Sequence, residues 1–168
     1  PKWRALIDKN DPPEKGHCAI ASEALYHMLG GREAGFMPVV CGYDVDPQGG
    51  MHYGPASGKQ GWRRETHWWV RGPKGGLRGM CDILDVTAGQ YPLSFPYRFG
   101  RNTGFMQPQQ KPSKRAQIVI DRVAQKLGKG VLEALRRENI RRFSLAVQAF
   151  SRCKIKSARS AMGKTGTR

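Results

Sequence analysis

Cys18, His67 and Asp85 are the residues whose types and order could carry chemistry. Cys18 follows Gly16-His17 and opens the run CAIASEALYHML, which has helix-forming composition. At a helix start, unpaired backbone N–H groups and the positive end of the dipole stabilise a thiolate, the nucleophilic form of cysteine. The same N–H groups can contribute to an oxyanion hole during acyl transfer. A cysteine alone is most often a small buried hydrophobe, so its company matters. His67 lies early in THWWV, and Asp85 lies late in MCDILDVT, 18 residues on. In an antiparallel pair, a residue early in one strand faces a residue late in the next. The carboxylate can then hold one imidazole nitrogen while the other faces the thiol. The expected geometry is a thiol within about 4 Å of an imidazole nitrogen, and Asp85 at about 2.6–3.2 Å from the other. A thiol pKa below the free value of about 8.5 is expected with it.

Other candidates compete for these roles. His52, in MHYG, is an alternative base, and Asp82 an alternative acid, although strand alternation puts Asp82 on the face opposite Asp85. His17, Trp62 and Trp68 are candidate cleft residues beside core or capping roles, and Tyr53 is weighed in the same way. Cys41 and Cys81 fall in strand-like runs and read as packing residues. Four Cys and four His in this order match no zinc spacing, so no metal is expected, and the thiol chemistry needs no organic cofactor.

The elements that must position the triad follow from periodicity and breakers. Apolar residues Ile20, Ala21, Ala24, Leu25, Met28 and Leu29 recur at three- and four-residue steps, predicting a helix over 18–29 stopped by Gly30-Gly31. FMPVVCGYDV (36–45) predicts a strand, and 46–63, rich in Gly, Pro and Gln, a long loop. THWWV (66–70) and MCDILDVT (80–87) predict an antiparallel hairpin, followed by a Pro- and Gly-dense loop over 88–112. Ser113 is a natural N-cap for a helix over 114–127 ending at Gly128. A second amphipathic helix is expected from Val131 to about Phe150, with Leu132, Leu135, Phe143, Val147 and Phe150 near one face. Beyond Ser151 the chain reads as basic and flexible.

GHCAIASEAL, THWWV and ILDVTAG resemble the three signature segments of the transglutaminase-like branch of the papain-like superfamily. There a Cys opens a helix, a His is followed by Trp on a strand, and an Asp sits in a Leu-Asp-Pro-Thr type turn. The resemblance covers roughly 16–91 and implies Cys18 as nucleophile, His67 as general base and Asp85 as orienting acid. It implies an α+β papain-like core, the Cys-bearing helix packed on an antiparallel sheet, over residues 1–110. The implied activity is acyl transfer from a peptide, amide or ester, to water or to an amine. Val86 stands where the family has Pro, and no residue matches a papain-type oxyanion Gln. The segment also resembles uncharacterised proteins of tailed bacteriophages, which would place it in a host cytoplasm or a virion.

Charge divides the chain. Residues 1–110 hold 13 Lys+Arg against 10 Asp+Glu, net +3, whereas 111–168 hold 16 against 3, net +13. Residues 111–168 therefore read as a basic helical extension seeking an anionic partner. Lys114, Arg115, Arg136, Arg137, Arg141, Arg142, Lys154 and Lys156 are its candidate nucleic-acid contacts. No signature for reading bases is present, so binding would be independent of sequence. An inert scaffold serving only that role is the alternative to an enzyme. No run approaches the roughly 20 apolar residues that cross a bilayer, so no membrane is expected. The sparse cysteines favour a reducing, intracellular compartment. Sequence leaves the oligomeric state open.

Overall fold

A computed structural model describes residues 17–73, 83–91, 95–105 and 111–162, with side chains of the last helix described through 149. It is a mixed α+β structure with three helices and an antiparallel sheet. Helix α1 spans Cys18–Met28 and stops where Gly30 and Gly31 take left-handed conformations, φ 101° and 57°. Strands β1 (Met37–Val45), β2 (Met51–Tyr53), β3 (Arg63–Arg71) and β4 (Ile83–Leu84) run in the order β2-β1-β3-β4. A two-residue strand, β5 (Arg101–Asn102), pairs with β1 at Val39 and Val40.

The β1–β3 register assigns the faces. Val39↔Trp69, Cys41↔His67 and Tyr43↔Glu65 share one face; Val40↔Trp68 and Gly42↔Thr66 share the other. On the first face Val39, Cys41 and Trp69 pack with Phe95, flanked by Tyr53, Tyr91 and Tyr97. The segment after β4 thus folds back over the sheet and closes the core around His67. Gly100 lies so close to the fully buried Trp69 that a Cβ there would enter the indole ring. On the second face Val70 joins Tyr26, Ala34 and Phe36, with Leu25, Leu84 and Ile140 against them.

Several elements depart from the sequence expectation. β2 occupies part of the expected 46–63 loop; its side chains are mostly exposed, so no apolar pattern marks it. The described part of the second hairpin strand is only Ile83–Leu84, and the expected residues 80–82 lie outside the described residues. Helix α2 is Lys114–Leu127, and Ser113 caps it by accepting from the Ala116 N–H at 3.2 Å. Helix α3 is Lys129–Met162, running through the segment expected to be flexible beyond Ser151.

The basic extension is packed on α1. Glu23 of α1 accepts hydrogen bonds from the Ser113 N–H at 2.7 Å and the Ser113 hydroxyl at 2.8 Å. Ala116 and Ala124 are buried. On α3, Asn139 donates to the Leu29 carbonyl at 3.1 Å, Ile140 joins the second core, and the Phe143 ring lies on Gly35. The inward face of α3 is set by Asn139, Ile140 and Phe143. Leu135 and Val147, expected on that stripe, are 41% and 48% exposed. Among the described residues no helix is long and apolar enough to cross a membrane.

Candidate active site

The site begins at an interruption in the sheet. Among the described residues β4 pairs with β3 at Val70 and Arg71 alone, and the same edge of β3 nearer its start has no strand neighbour. Helix α1 takes that place. The Cys18 thiol donates to the Thr66 carbonyl at 3.7 Å, and one turn later the Ser22 hydroxyl donates to the Trp68 carbonyl at 2.9 Å. The Trp68 N–H is also directed at the sulfur. Residues 66, 68 and 70 send their backbone groups to the same edge, and 67 sends its own toward β1, which is why a helix can complete the ladder here. The thiol is therefore seated against the backbone on both sides of His67.

His67 is fully buried. Its Nε2 lies 2.6 Å from Asp85 Oδ2. Asp85 follows β4, and its carboxylate is further bound by the Thr87 N–H at 2.9 Å, the Thr87 hydroxyl at 3.0 Å and the Tyr97 hydroxyl at 2.8 Å. Four donors thus fix the acid and, through it, the imidazole plane. With Nε2 committed to the carboxylate, Nδ1 is the nitrogen left over; among the described residues it has no hydrogen-bond partner. A buried ring nitrogen without a partner is uncommon and marks a position where a proton can be received.

Aromatic rings close the pocket. Tyr91 lies over His67 with centroids 4.0 Å apart, and Phe95 meets it edge-on at 4.8 Å. The Tyr91 hydroxyl is 3.0 Å from that of Tyr43, which donates to Glu65 at 3.1 Å. The Asp85 carboxylate bears on Cys18, and Cys18 bears on Tyr43 and Tyr91, but the expected thiol–imidazole contact is not made: the thiol donates to Thr66 and no hydrogen bond joins it to His67 Nδ1.

Electrostatics in this enclosed site correct one expectation. Burial, the largest effect, pushes the Cys18 thiol above its ordinary pKa. The N–H groups of Trp68, Ala19 and Cys18 itself pull it down, and the Asp85 carboxylate adds to the rise. The helix terminus acts in the expected direction but loses to desolvation, because the thiol is only 7% exposed. Asp85 shows the opposite balance. Burial raises it, yet the hydrogen bonds from His67, Tyr97 and Thr87 outweigh burial and hold the carboxyl below the ordinary range. Burial also raises Tyr91 and Tyr43, so both hydroxyls are neutral donors near pH 7.

The remaining candidates separate from this cluster. His52 is bound through Nε2 to Asp46 at 2.8 Å and stacks on Trp62 at 4.5 Å, with Lys59 over the indole. These residues form an exposed hairpin group, separate from the buried His67–Asp85 pair. His17 stands at the N-cap position of α1, and its side chain makes no capping bond. Trp68 lies on the sheet face opposite His67, stacked on Phe105. Asp82, Cys81, Lys154 and Lys156 lie outside the residues whose side chains are described. Lys114, Arg115, Arg136 and Arg137 are exposed, whereas Arg141 and Arg142 both bind Glu138, whose carboxyl they hold down to about 2.

Sequence reasoning missed Thr87, Tyr91 and Tyr97. Thr87 carried a local signal, since an Asp followed two residues on by a hydroxyl residue is a turn in which the Asp binds its own backbone. Tyr91 and Tyr97 sit in a Pro-rich stretch without periodicity and gave none. No known family, no curated protein and no solved structure matches this chain.

Proposed function

We propose that the chain is a thiol acyl-transfer enzyme of papain-like, transglutaminase-like architecture, acting through Cys18, His67 and Asp85. The observation that carries this reading is the buried imidazole. Its Nε2 is held by Asp85 at 2.6 Å, its Nδ1 has no partner among the described residues, and the helix-terminal Cys18 donates to the carbonyl of Thr66, the residue before His67.

In the proposed cycle the Cys18 Sγ–H proton passes to His67 Nδ1 as sulfur adds to an acyl carbonyl, and the carbonyl π pair moves onto oxygen. The N–H groups of Cys18 and Ala19 at the start of α1, which act on the sulfur, are the donors available to that oxygen. Collapse breaks the bond to the leaving amine or alkoxide, which takes the proton from Nδ1. Water or an amine then attacks the thioester, gives its proton to His67, and the thiolate leaves to recover it. Asp85 remains ionised and stabilises the imidazolium. The raised thiol pKa supports transfer in concert with attack over a resting ion pair.

The test is acylation of the intact protein by an activated thioester, with the modified residue located by peptide mass spectrometry. Acylation at Cys18 that is lost in His67→Ala supports the reading. Equal modification of Cys18 in both proteins, or none at Cys18, overturns it.

A second reading is binding to nucleic acid through the basic helices, with the core inert. It rests on the exposed Lys114, Arg115, Arg136 and Arg137 and on the +13 of residues 111–168. Phosphate contacts would give binding with little sequence preference that weakens steeply with salt. The free thiols of Cys18 and Cys41 suit a reducing compartment, as an intracellular or virion-internal protein would require.

A further inference from the structure

Two grooves meet at Thr66, whose carbonyl accepts the hydrogen bond of the Cys18 thiol, and both lie on the sheet face of Thr66 and Trp68. The larger, about 860 Å³, runs beside Ala19 and Ile20, the residues that follow Cys18. Its wall is the Trp68–Phe105 pair, stacked at 5.6 Å and 23°, and Lys114 and Arg115 flank it where α2 begins. The smaller, about 400 Å³, lies across β3 over Gly42 and carries Arg64 and Arg101. Gly42 has no side chain to fill this space; a Cβ would strike the Arg64 guanidinium.

The carboxylates beside these grooves are already engaged. Glu23 is held by Ser113. Asp44 accepts from the Ser57 N–H at 2.6 Å and from Arg64 at 3.1 Å. Lys114, Arg115 and Arg101 take part in none of the ion pairs among the described residues. The concave surface through Thr66 therefore presents an apolar aromatic wall beside the start of α1, with the cations Lys114 and Arg115 at one end and Arg101 at the other outside any ion pair among the described residues.

We propose that these grooves bind an extended acidic peptide, with an apolar or aromatic side chain against Trp68 and Phe105 and flanking carboxylates on Lys114, Arg115 and Arg101. This rests on the acyl-transfer reading, which requires a substrate carbonyl near Cys18. A polynucleotide has no acyl carbon to offer the thiol, and the Trp68 and Phe105 faces are turned to each other instead of standing open to bases. Charges in both grooves, on either side of Thr66, fit a polymer better than a single acyl chain.

The experiment uses the full chain carrying Cys18→Ala and a fluorescein-labelled peptide in which a central Phe is flanked by Asp and Glu. Binding is read by anisotropy against the same peptide with Asn and Gln in place of the acids. The acidic peptide should bind about tenfold tighter, and Lys114→Glu with Arg115→Glu should remove that preference. Arg122→Glu with Arg137→Glu makes the same change in net charge away from the grooves, and should alter affinity by less than about twofold. Equal weakening by both double variants means diffuse attraction to a basic protein and overturns the proposal. Equal binding of the neutral peptide overturns it too. If the groove variants weaken duplex DNA as much as peptide, the surface belongs to nucleic acid. Cys18 acylation in the wild-type chain separates the two levels. If the thiol is reactive but binding ignores Lys114 and Arg115, only the groove assignment fails. If binding follows those residues but the thiol is inert, only the chemistry fails.

Discussion

Asp85→Asn separates the acid's structural role from its chemical one. The replacement has the shape of a carboxylate but one acceptor and one donor end, and the surroundings decide which way it lies. The Thr87 backbone N–H, 2.9 Å from Oδ1, can only donate, so the amide oxygen must take that side. The amide NH2 then faces His67 Nε2 and the Tyr97 hydroxyl, which now sit 2.6 Å and 2.8 Å from a donor. Nε2 must become the acceptor, so the ring proton moves to Nδ1, the nitrogen that should receive the thiol proton. Stability falls by about 1–3 kcal/mol, the worth of weakened hydrogen bonds to a charged group. Asp85→Ala is expected to cost more, about 3–5 kcal/mol, because it leaves a fully buried ring without its partner. Against a total of about 5–15 kcal/mol, the Asn variant should remain folded where the Ala variant is compromised. Its acylation rate at Cys18 should fall by about 10²–10⁴, the usual contribution of a general base. The assay is the pseudo-first-order rate of Cys18 acylation in folded protein, with a urea titration run in parallel. A folded variant that acylates at the wild-type rate refutes the tautomer argument and leaves Asp85 as an anchor only.

Other outcomes follow from the same geometry. Because burial raises the Cys18 thiol, the folded state holds that proton longer than the unfolded chain does. Its stabilising contribution is therefore full below about pH 8.5 and lost as pH rises beyond, a slope in urea-measured stability that Cys18→Ala should abolish. Asp85, held low, contributes fully above about pH 3.9 and loses that contribution on acidification, so Asp85→Asn should flatten the acid limb of the same curve. Glu23→Ala removes the two hydrogen bonds to Ser113 and should cost about 2–4 kcal/mol in urea unfolding; a loss under about 0.5 kcal/mol would mean α2 is only loosely docked. Gly100→Ala drives a methyl into the Trp69 ring and should lower the melting temperature and red-shift tryptophan emission, with a cost of about 1–3 kcal/mol.

What could be read in advance was the part with strong local signals. CAIASEALYHML has three- and four-residue apolar steps and a Gly-Gly stop, and α1 ends within a residue of the expected place. THWWV lies inside β3 because β-branched and aromatic residues suit a half-buried strand, though the strand begins three residues earlier through RRE, whose side chains hide no apolar surface. The His67–Asp85 contact was expected across paired strands, but Asp85 reaches His67 from the turn after β4, whose register pairs Leu84 with Val70. The desolvation of Cys18 was not expected, since it follows from seating the start of α1 on β3, a contact between residues 48 apart in the chain. On α3, Ile140 is the contact residue while Leu135 turns outward, because which apolar stripe docks is decided by α1 and the Gly31–Ala34 turn, not by the helix itself.

The seating of Cys18 and Ser22 on β3 has a consequence for handling the protein. Thr66 and Trp68 are covered by a helix where a sheet would ordinarily present another strand. A bulky group attached to Cys18 that does not lie along a substrate's path would lever the start of α1 away from that edge, baring backbone donors and acceptors at Thr66 and Trp68. Such an edge invites a strand from a second molecule. Loss of the thiol by alkylation or oxidation would then surface as self-association, and storage under reductant would protect solubility as well as reactivity.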